Sequence, residues 1–153
     1  MAAMQDNNHD NLDLDGLKAI AEDLARQATP RDVFFLNGTL GAGKTQFAKF
    51  FINALSQKPI TVQSPTFTLV QFYDFDTKTV SHFDLYRVED PSELEAIGFF
   101  DALQNDICLI EWPEKCGNFA PKKRTDIAFT INADETRTLK ITHMPTKKDE
   151  THD

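Results

Sequence analysis

Residues 38–45 of the chain read Gly-Thr-Leu-Gly-Ala-Gly-Lys-Thr, and no other feature restricts the possible fold as strongly. The pattern G-x-x-x-x-G-K-T builds a phosphate-binding loop. Its glycines let the backbone turn successive N–H groups inward around an anion, Lys44 reaches the β- and γ-phosphates, and Thr45 offers its hydroxyl to Mg2+. Such a loop works between a buried strand and the start of a helix, whose dipole also favours the anion. Both are legible here. Val33, Phe34, Phe35 and Leu36 form a short apolar run, the mark of a strand covered on both faces. The segment 44–55 is apolar nearly all round, as a helix lying on the middle of a sheet is.

The rest of the chain extends this α/β pattern. Leu17, Ile20, Ala21, Leu24 and Ala25 recur at helical spacing, which predicts a helix over 15–28, with Asp13 or Asp15 as N-cap and Thr29-Pro30 as the stop. Strand signals follow at 60–62, then at 67–75 and 78–87, the last two forming a hairpin around Asp76-Thr77. Residues 91–97 read as helical, with Pro91 in the first turn and Gly98 at the end. An apolar run at 107–110 and alternating segments at 127–131 and 138–142 complete the set. The expected architecture is a P-loop NTPase fold, a central mostly parallel sheet with antiparallel strands, flanked by helices. One domain is expected over 1–153, ordered from about 12 to 144, with polar flexible tails at 1–11 and 145–153.

Composition narrows the functional classes. The formal net charge of -8 disfavours a nucleic-acid backbone as the main partner, because that contact needs clustered Lys and Arg. The basic cluster Lys122, Lys123 and Arg124 reads as a solvated loop. No apolar run reaches the length of a membrane span, and residues 1–11 lack a signal-peptide pattern, so a cytoplasmic protein with free thiols at Cys108 and Cys116 is expected.

Hydrolysis of a bound triphosphate also needs carboxylates close to the γ-phosphate. Two strand ends supply them. The apolar run Ile107-Cys108-Leu109-Ile110 leads into Glu111 and Trp112, and a carboxylate at the C-terminal edge of a strand lies where open α/β sheets place ligand chemistry. Glu111 is the candidate Mg2+ ligand, direct or through water. In the segment 80–87, strand alternation sets His82, Asp84 and Tyr86 on one face and Phe83 with Leu85 on the other. Asp84 is the candidate catalytic or metal-organising carboxylate, whereas His82 fits a hydrogen-bonded structural role better. Between loop and strands, Ser64-Pro65-Thr66-Phe67-Thr68 sets three hydroxyls around a rigid proline, a loop suited to sensing a γ-phosphate.

Four strings in order carry a specific resemblance: Leu-Gly-Ala-Gly-Lys-Thr at 40–45, Ser-Pro-Thr-Phe-Thr-Leu-Val at 64–70, His-Phe-Asp-Leu-Tyr-Arg at 82–87 and Leu-Ile-Glu-Trp at 109–112. Over about residues 12–142 the chain resembles the TsaE (YjeE) family, small bacterial ATPases required for N6-threonylcarbamoyladenosine at position 37 of tRNAs reading ANN codons. The resemblance implies ATP/ADP and Mg2+ as cofactors. Thr45 and Glu111 become the metal ligands, and Lys44, Asp84 and Glu111 the residues of hydrolysis. The nucleotide contacts become Gly38, Leu40, Gly41, Ala42, Gly43, Lys44, Thr45, Gln46 and Thr66, with Trp112 and Arg137 flanking. It also implies action on a complex of the TsaD and TsaB proteins, with tRNA met through that complex. Thr39 departs from the family, which usually carries Asp or Glu there.

Other classes remain to be weighed. A small-molecule kinase needs an acceptor site and an Arg-bearing lid, but only scattered arginines (Arg87, Arg124, Arg137) follow the loop. A GTPase needs D-x-x-G after the loop and N-K-x-D. The chain has D-x-x-G only at 13–16, before the loop, and lacks N-K-x-D. A nucleotide-gated binding module without significant hydrolysis is the remaining alternative.

Overall fold

The structure, a computed structural model, describes residues 7–145. Among them the strands β1 (Asn7–Leu12), β2 (Val33–Asn37), β3 (Val70–Phe75), β4 (Lys78–Asp84), β5 (Ile107–Glu111), β6 (Arg124–Ile131) and β7 (Arg137–Met144) form one sheet in the order β1-β7-β6-β2-β5-β4-β3. The central pairs β6/β2, β2/β5 and β5/β4 are parallel. Antiparallel partners close both sides, β3 beside β4 and β7 with β1 beside β6. The expected fold class is therefore observed, a mostly parallel centre with antiparallel margins.

Helices α1 (Leu14–Gln27) and α2 (Lys44–Leu55) pack together over one face. Asp13 caps α1 by accepting the Gly16 amide at 2.8 Å, which stabilises such a terminus by about 1 kcal/mol. Beneath α2, Phe34, Phe47 and Phe51 are fully buried, and Phe51 meets Phe34 edge-on with ring centroids 5.3 Å apart. The opposite face buries Val33, Phe35, Phe83, Leu85, Cys108 and Ile110 under α3 (Phe99–Asn105) and two 3-10 helices, Pro91–Ile97 and Pro113–Phe119. Successive residues of β2, β4 and β5 thus alternate between two apolar layers, which is why their sequences read as continuous apolar runs.

Three sequence expectations need correction. Residues 7–11, expected in a flexible tail, belong to strand β1, whose polar residues suit a sheet edge against β7; residues 1–6 and 146–153 of the expected tails lie outside the described residues. No strand forms at 60–62, because β3 already fills the place beside β4. There the Ile60 amide donates to Asn53 Oδ1 at 2.9 Å and Val62 is buried against α2's layer. The hairpin strand begins at Val70 and not at Phe67, after a turn in which Leu69 takes φ 69°. Helix α3 was not foreseen, since Gly98 (φ 76°) both ends one short helix and begins the next. Both cysteines are free and buried, and burial pushes the Cys116 thiol up to about 12 and Cys108 higher still, so neither is a ready nucleophile.

Candidate functional site

Parallel pairing sets the C-terminal ends of β2, β5 and β4 side by side. Leu36 lies opposite Glu111, and Glu111 lies opposite Asp84. The loop 38–43 leaves β2 at this edge and enters α2. Gly38 passes so close to β6 that an added Cβ would stand 3.0 Å from the Phe129 backbone oxygen, so no larger residue fits. Gly43, with φ 104°, begins α2 in the left-handed region and supplies no side-chain cap. The first-turn amides of α2 therefore face the cleft as a positive helix end.

Lys44 is buried, with 4% exposure. Its Nζ donates to the Gly38 carbonyl at 2.6 Å and lies 3.6 Å from the centroid of the Trp112 ring. Desolvation pulls its pKa below the usual lysine range, while Glu111, Glu114 and Asp84 oppose that shift. An ammonium held this way lacks a full solvent shell and gains from any anion that reaches it. Trp112 itself sits at φ 57° and turns the chain sharply at the end of β5. Tyr86 packs on the Trp112 ring with centroids 5.0 Å apart.

The carboxylates are buried too, Asp84 at 5% and Glu111 at 2% exposure. Like charges directly opposite across a sheet repel, and each is held by its own donors. Glu111 Oε1 accepts the Thr45 hydroxyl at 2.8 Å, and Oε2 lies 2.7 Å from His82 Nε2. Asp84 accepts the Thr66 hydroxyl at 3.2 Å and the Tyr86 amide at 3.0 Å. Ser64 Oγ lies 2.7 Å from Thr66 Oγ1, which ties the hydroxyl loop to the same carboxylate. Two carboxylates against one ammonium leave one negative charge in a buried place, and the nearby oxygens of Thr45 and Glu111 make a donor set suited to a hard divalent cation. A Mg2+ ion fits the residues present.

These groups line a cleft of about 350 Å³ that includes Leu40, Gly41, Gly43, Lys44, Thr45, Gln46, Thr66, Asp84, Glu111 and Trp112. Among the sequence candidates, Gly38 and Ala42 lie behind this surface, Gly38 as a carbonyl partner of Lys44 and Ala42 fully buried. Arg137 also stands apart from the lining. Its guanidinium donates to the backbone oxygens of Ala42 (3.1 Å), Gly41 (3.3 Å) and Glu135, which ties β7 to the backbone of the phosphate loop. Sequence reasoning missed Tyr86 and Arg87 as lining residues. Their place directly after Asp84, at the sheet's ligand edge, was the available signal. A groove of about 310 Å³ between α1 and the β1–β7 margin, lined by His9, Asp23, Gln27 and His143 among others, holds none of the motif residues.

The cation–π contact makes a direct prediction. Trp112 is the chain's one tryptophan, so a nucleotide that draws Lys44 away from the ring should change its fluorescence. We expect a saturable change on titrating ATP into the protein, absent in Lys44→Ala. An unchanged spectrum at saturating nucleotide, with binding verified by calorimetry, would show that the amine keeps its place on the ring.

Comparison with known proteins gives a consistent family. The model of a family described as "Threonylcarbamoyl adenosine biosynthesis protein TsaE" matches residues 12–139. The tRNA threonylcarbamoyladenosine biosynthesis protein TsaE of Haemophilus influenzae is 40% identical over 127 residues, 81% of this chain and 78% of its own length. The protein of that name from Bacillus subtilis is 38% identical over 125 residues, 82% of this chain and 78% of its own. That of Rickettsia conorii is 42% identical over 97 residues, so the match spans only 55% of that relative's length and 63% of this chain. A solved structure described as "Crystal structure of Bacillus subtilus YdiB" superimposes with a TM-score of 0.73 at 28% identity, over 98% of this chain and 93% of that one.

Proposed function

The chain belongs to the TsaE family, and from that premise we propose that it is a Mg2+-dependent ATPase serving threonylcarbamoyladenosine formation in tRNA. One observation carries the chemistry. The Thr45 hydroxyl from the phosphate loop and the Glu111 carboxylate from β5, 66 positions apart in sequence, meet at 2.8 Å beside the buried Lys44 amine. Nothing in a purely structural role requires a buried acid, a buried base and a hydroxyl to converge at the ligand edge of the sheet.

In this reading Thr45 and Glu111 would hold Mg2+, which would supply charge neutralisation for the bound triphosphate. Lys44 and the first-turn amides of α2 bind the same phosphates. The reaction is addition of water at the γ-phosphorus with loss of ADP and inorganic phosphate. Asp84 orients that water and accepts its proton, and Thr66 holds Asp84 in place. Phe67, which is 82% exposed, and Arg87 beside it leave the hydroxyl loop open to a partner. Among the described residues no helix is long and apolar enough to cross a membrane.

The TsaD and TsaB proteins are the proposed partners, with tRNA met through them; the net charge of -8 suits a protein that does not grip tRNA alone. Phosphate release by the isolated chain is expected to be slow and to rise clearly when both partners are added. Rates that stay at the level of the isolated chain count against a partner-driven switch. Depleting the protein from its bacterium is expected to lower threonylcarbamoyladenosine in tRNA. Unchanged modification rejects the pathway and leaves nucleotide binding standing.

A further inference from the structure

His82 is a buried ionisable side chain that the hydrolytic scheme above does not use. It is fully buried on β4, on the face covered by α2. Its register partner on β5 is Leu109, and Glu111 lies two residues further along the same face, which makes the two side chains diagonal neighbours across parallel strands. Nε2 lies 2.7 Å from Glu111 Oε2, whereas Nδ1 has no hydrogen-bond partner among the described residues. Two acceptors at 2.7 Å would repel, so Nε2 carries the proton and donates, leaving Nδ1 as an acceptor. The opposite tautomer would bury an unsatisfied N–H as well.

That arrangement leaves an orphaned nitrogen in the core, which an apolar residue would avoid. The return is control of one side chain. Glu111 has several rotatable bonds, and its backbone is fixed by the Leu85 amide and by the sharp turn at Trp112. With Oε2 held by His82, Oε1 is left to face Thr45. We propose that His82 is a positioning residue for the metal seat: its Nε2–H fixes the Glu111 carboxylate so that Oε1 and the Thr45 hydroxyl are arranged for Mg2+ before any ligand arrives. This rests on the reading of Glu111 as a metal carboxylate. Groups behind metal ligands set ligand orientation, and their loss typically costs about 10- to 100-fold in metal affinity.

The test uses the full chain and a non-hydrolysable ATP analogue, with affinity measured by calorimetry in Mg2+ and again in EDTA. For the unaltered protein, Mg2+ is expected to tighten binding. His82→Leu is expected to lose about tenfold of the Mg2+-dependent part and keep its affinity in EDTA. His82→Gln, whose amide nitrogen can stand where Nε2 stands, should recover most of the loss. His82→Asn, whose amide sits nearer the Nδ1 position, should not. If His82→Leu retains the full Mg2+ effect, or if Gln and Asn behave alike, the positioning role is overturned. Should His82→Leu fail to fold, the Gln and Asn pair decides. An unaltered protein indifferent to Mg2+ would instead reject the metal reading of Glu111, and this proposal with it.

Discussion

Lys44→Ala is expected to weaken ATP binding by about 10- to 100-fold, since a hydrogen bond to a charged group is worth about 1.5–3 kcal/mol and each 1.4 kcal/mol is tenfold. The structure sets this buried residue apart from surface lysines. Its amine is already desolvated and held between the Gly38 carbonyl and the Trp112 ring. Little reorganisation is then needed when phosphate replaces those partners, so most of the interaction is available for binding. Lys44→Arg is not expected to rescue, because the longer, forked guanidinium cannot put a compact charge where the buried Lys44 Nζ stands. Thermal stability of the empty protein should not fall much, because desolvation outweighs the nearby carboxylates at the Lys44 amine and its removal relieves that cost. Calorimetric titration with ATP, beside a melting curve, checks all three expectations. Wild-type affinity in Lys44→Ala would remove the amine from the nucleotide site.

The parts of this site that were legible in the sequence are those set by local chemistry. The loop 38–45 is self-announcing because its spacing is dictated by the backbone path around an anion, and it lies between the strand and helix that the apolar runs predicted. Glu111 and Asp84 were readable because each ends or nearly ends an apolar strand, and parallel pairing brings those ends together. Partnership across the sheet was not readable. His82 looked like one residue of a polar stripe, yet that face is buried and the ring pairs with Glu111. The bond of Arg137 to the phosphate loop was likewise unreadable, because only the β7 register brings its guanidinium to the Gly41 and Ala42 carbonyls. Strand β1 carried no apolar alternation to reveal it, because an edge strand against β7 needs backbone pairing more than a buried face. Register and tertiary cover decide such cases, and neither is written in local periodicity.

Asp84→Ala should bind ATP within a few-fold of the unaltered protein and lose about 10²- to 10³-fold in phosphate release, the range expected when a positioned proton acceptor is removed. The separation of effects follows from the geometry. Among the described residues Asp84 makes no hydrogen bond to Lys44 or Thr45; its partners are the Thr66 hydroxyl and the Tyr86 amide, whereas Lys44 and Thr45 bond to Gly38 and Glu111. It also stands directly across the sheet from Glu111 at minimal exposure, an arrangement of like charges that folding alone disfavours. Asp84→Asn keeps the size and one acceptor oxygen while removing the charge, so it should melt no lower than the unaltered protein and still fail in turnover. A stability gained as activity is lost is the expected signature of a residue kept for chemistry. Single-turnover phosphate release and a melting curve on the same two variants test this. If Asp84→Asn hydrolysed ATP at the normal rate, the proton acceptor would have to be sought elsewhere in the cleft, and the Ser64–Thr66 pair would then be left holding a carboxylate with no part in the reaction.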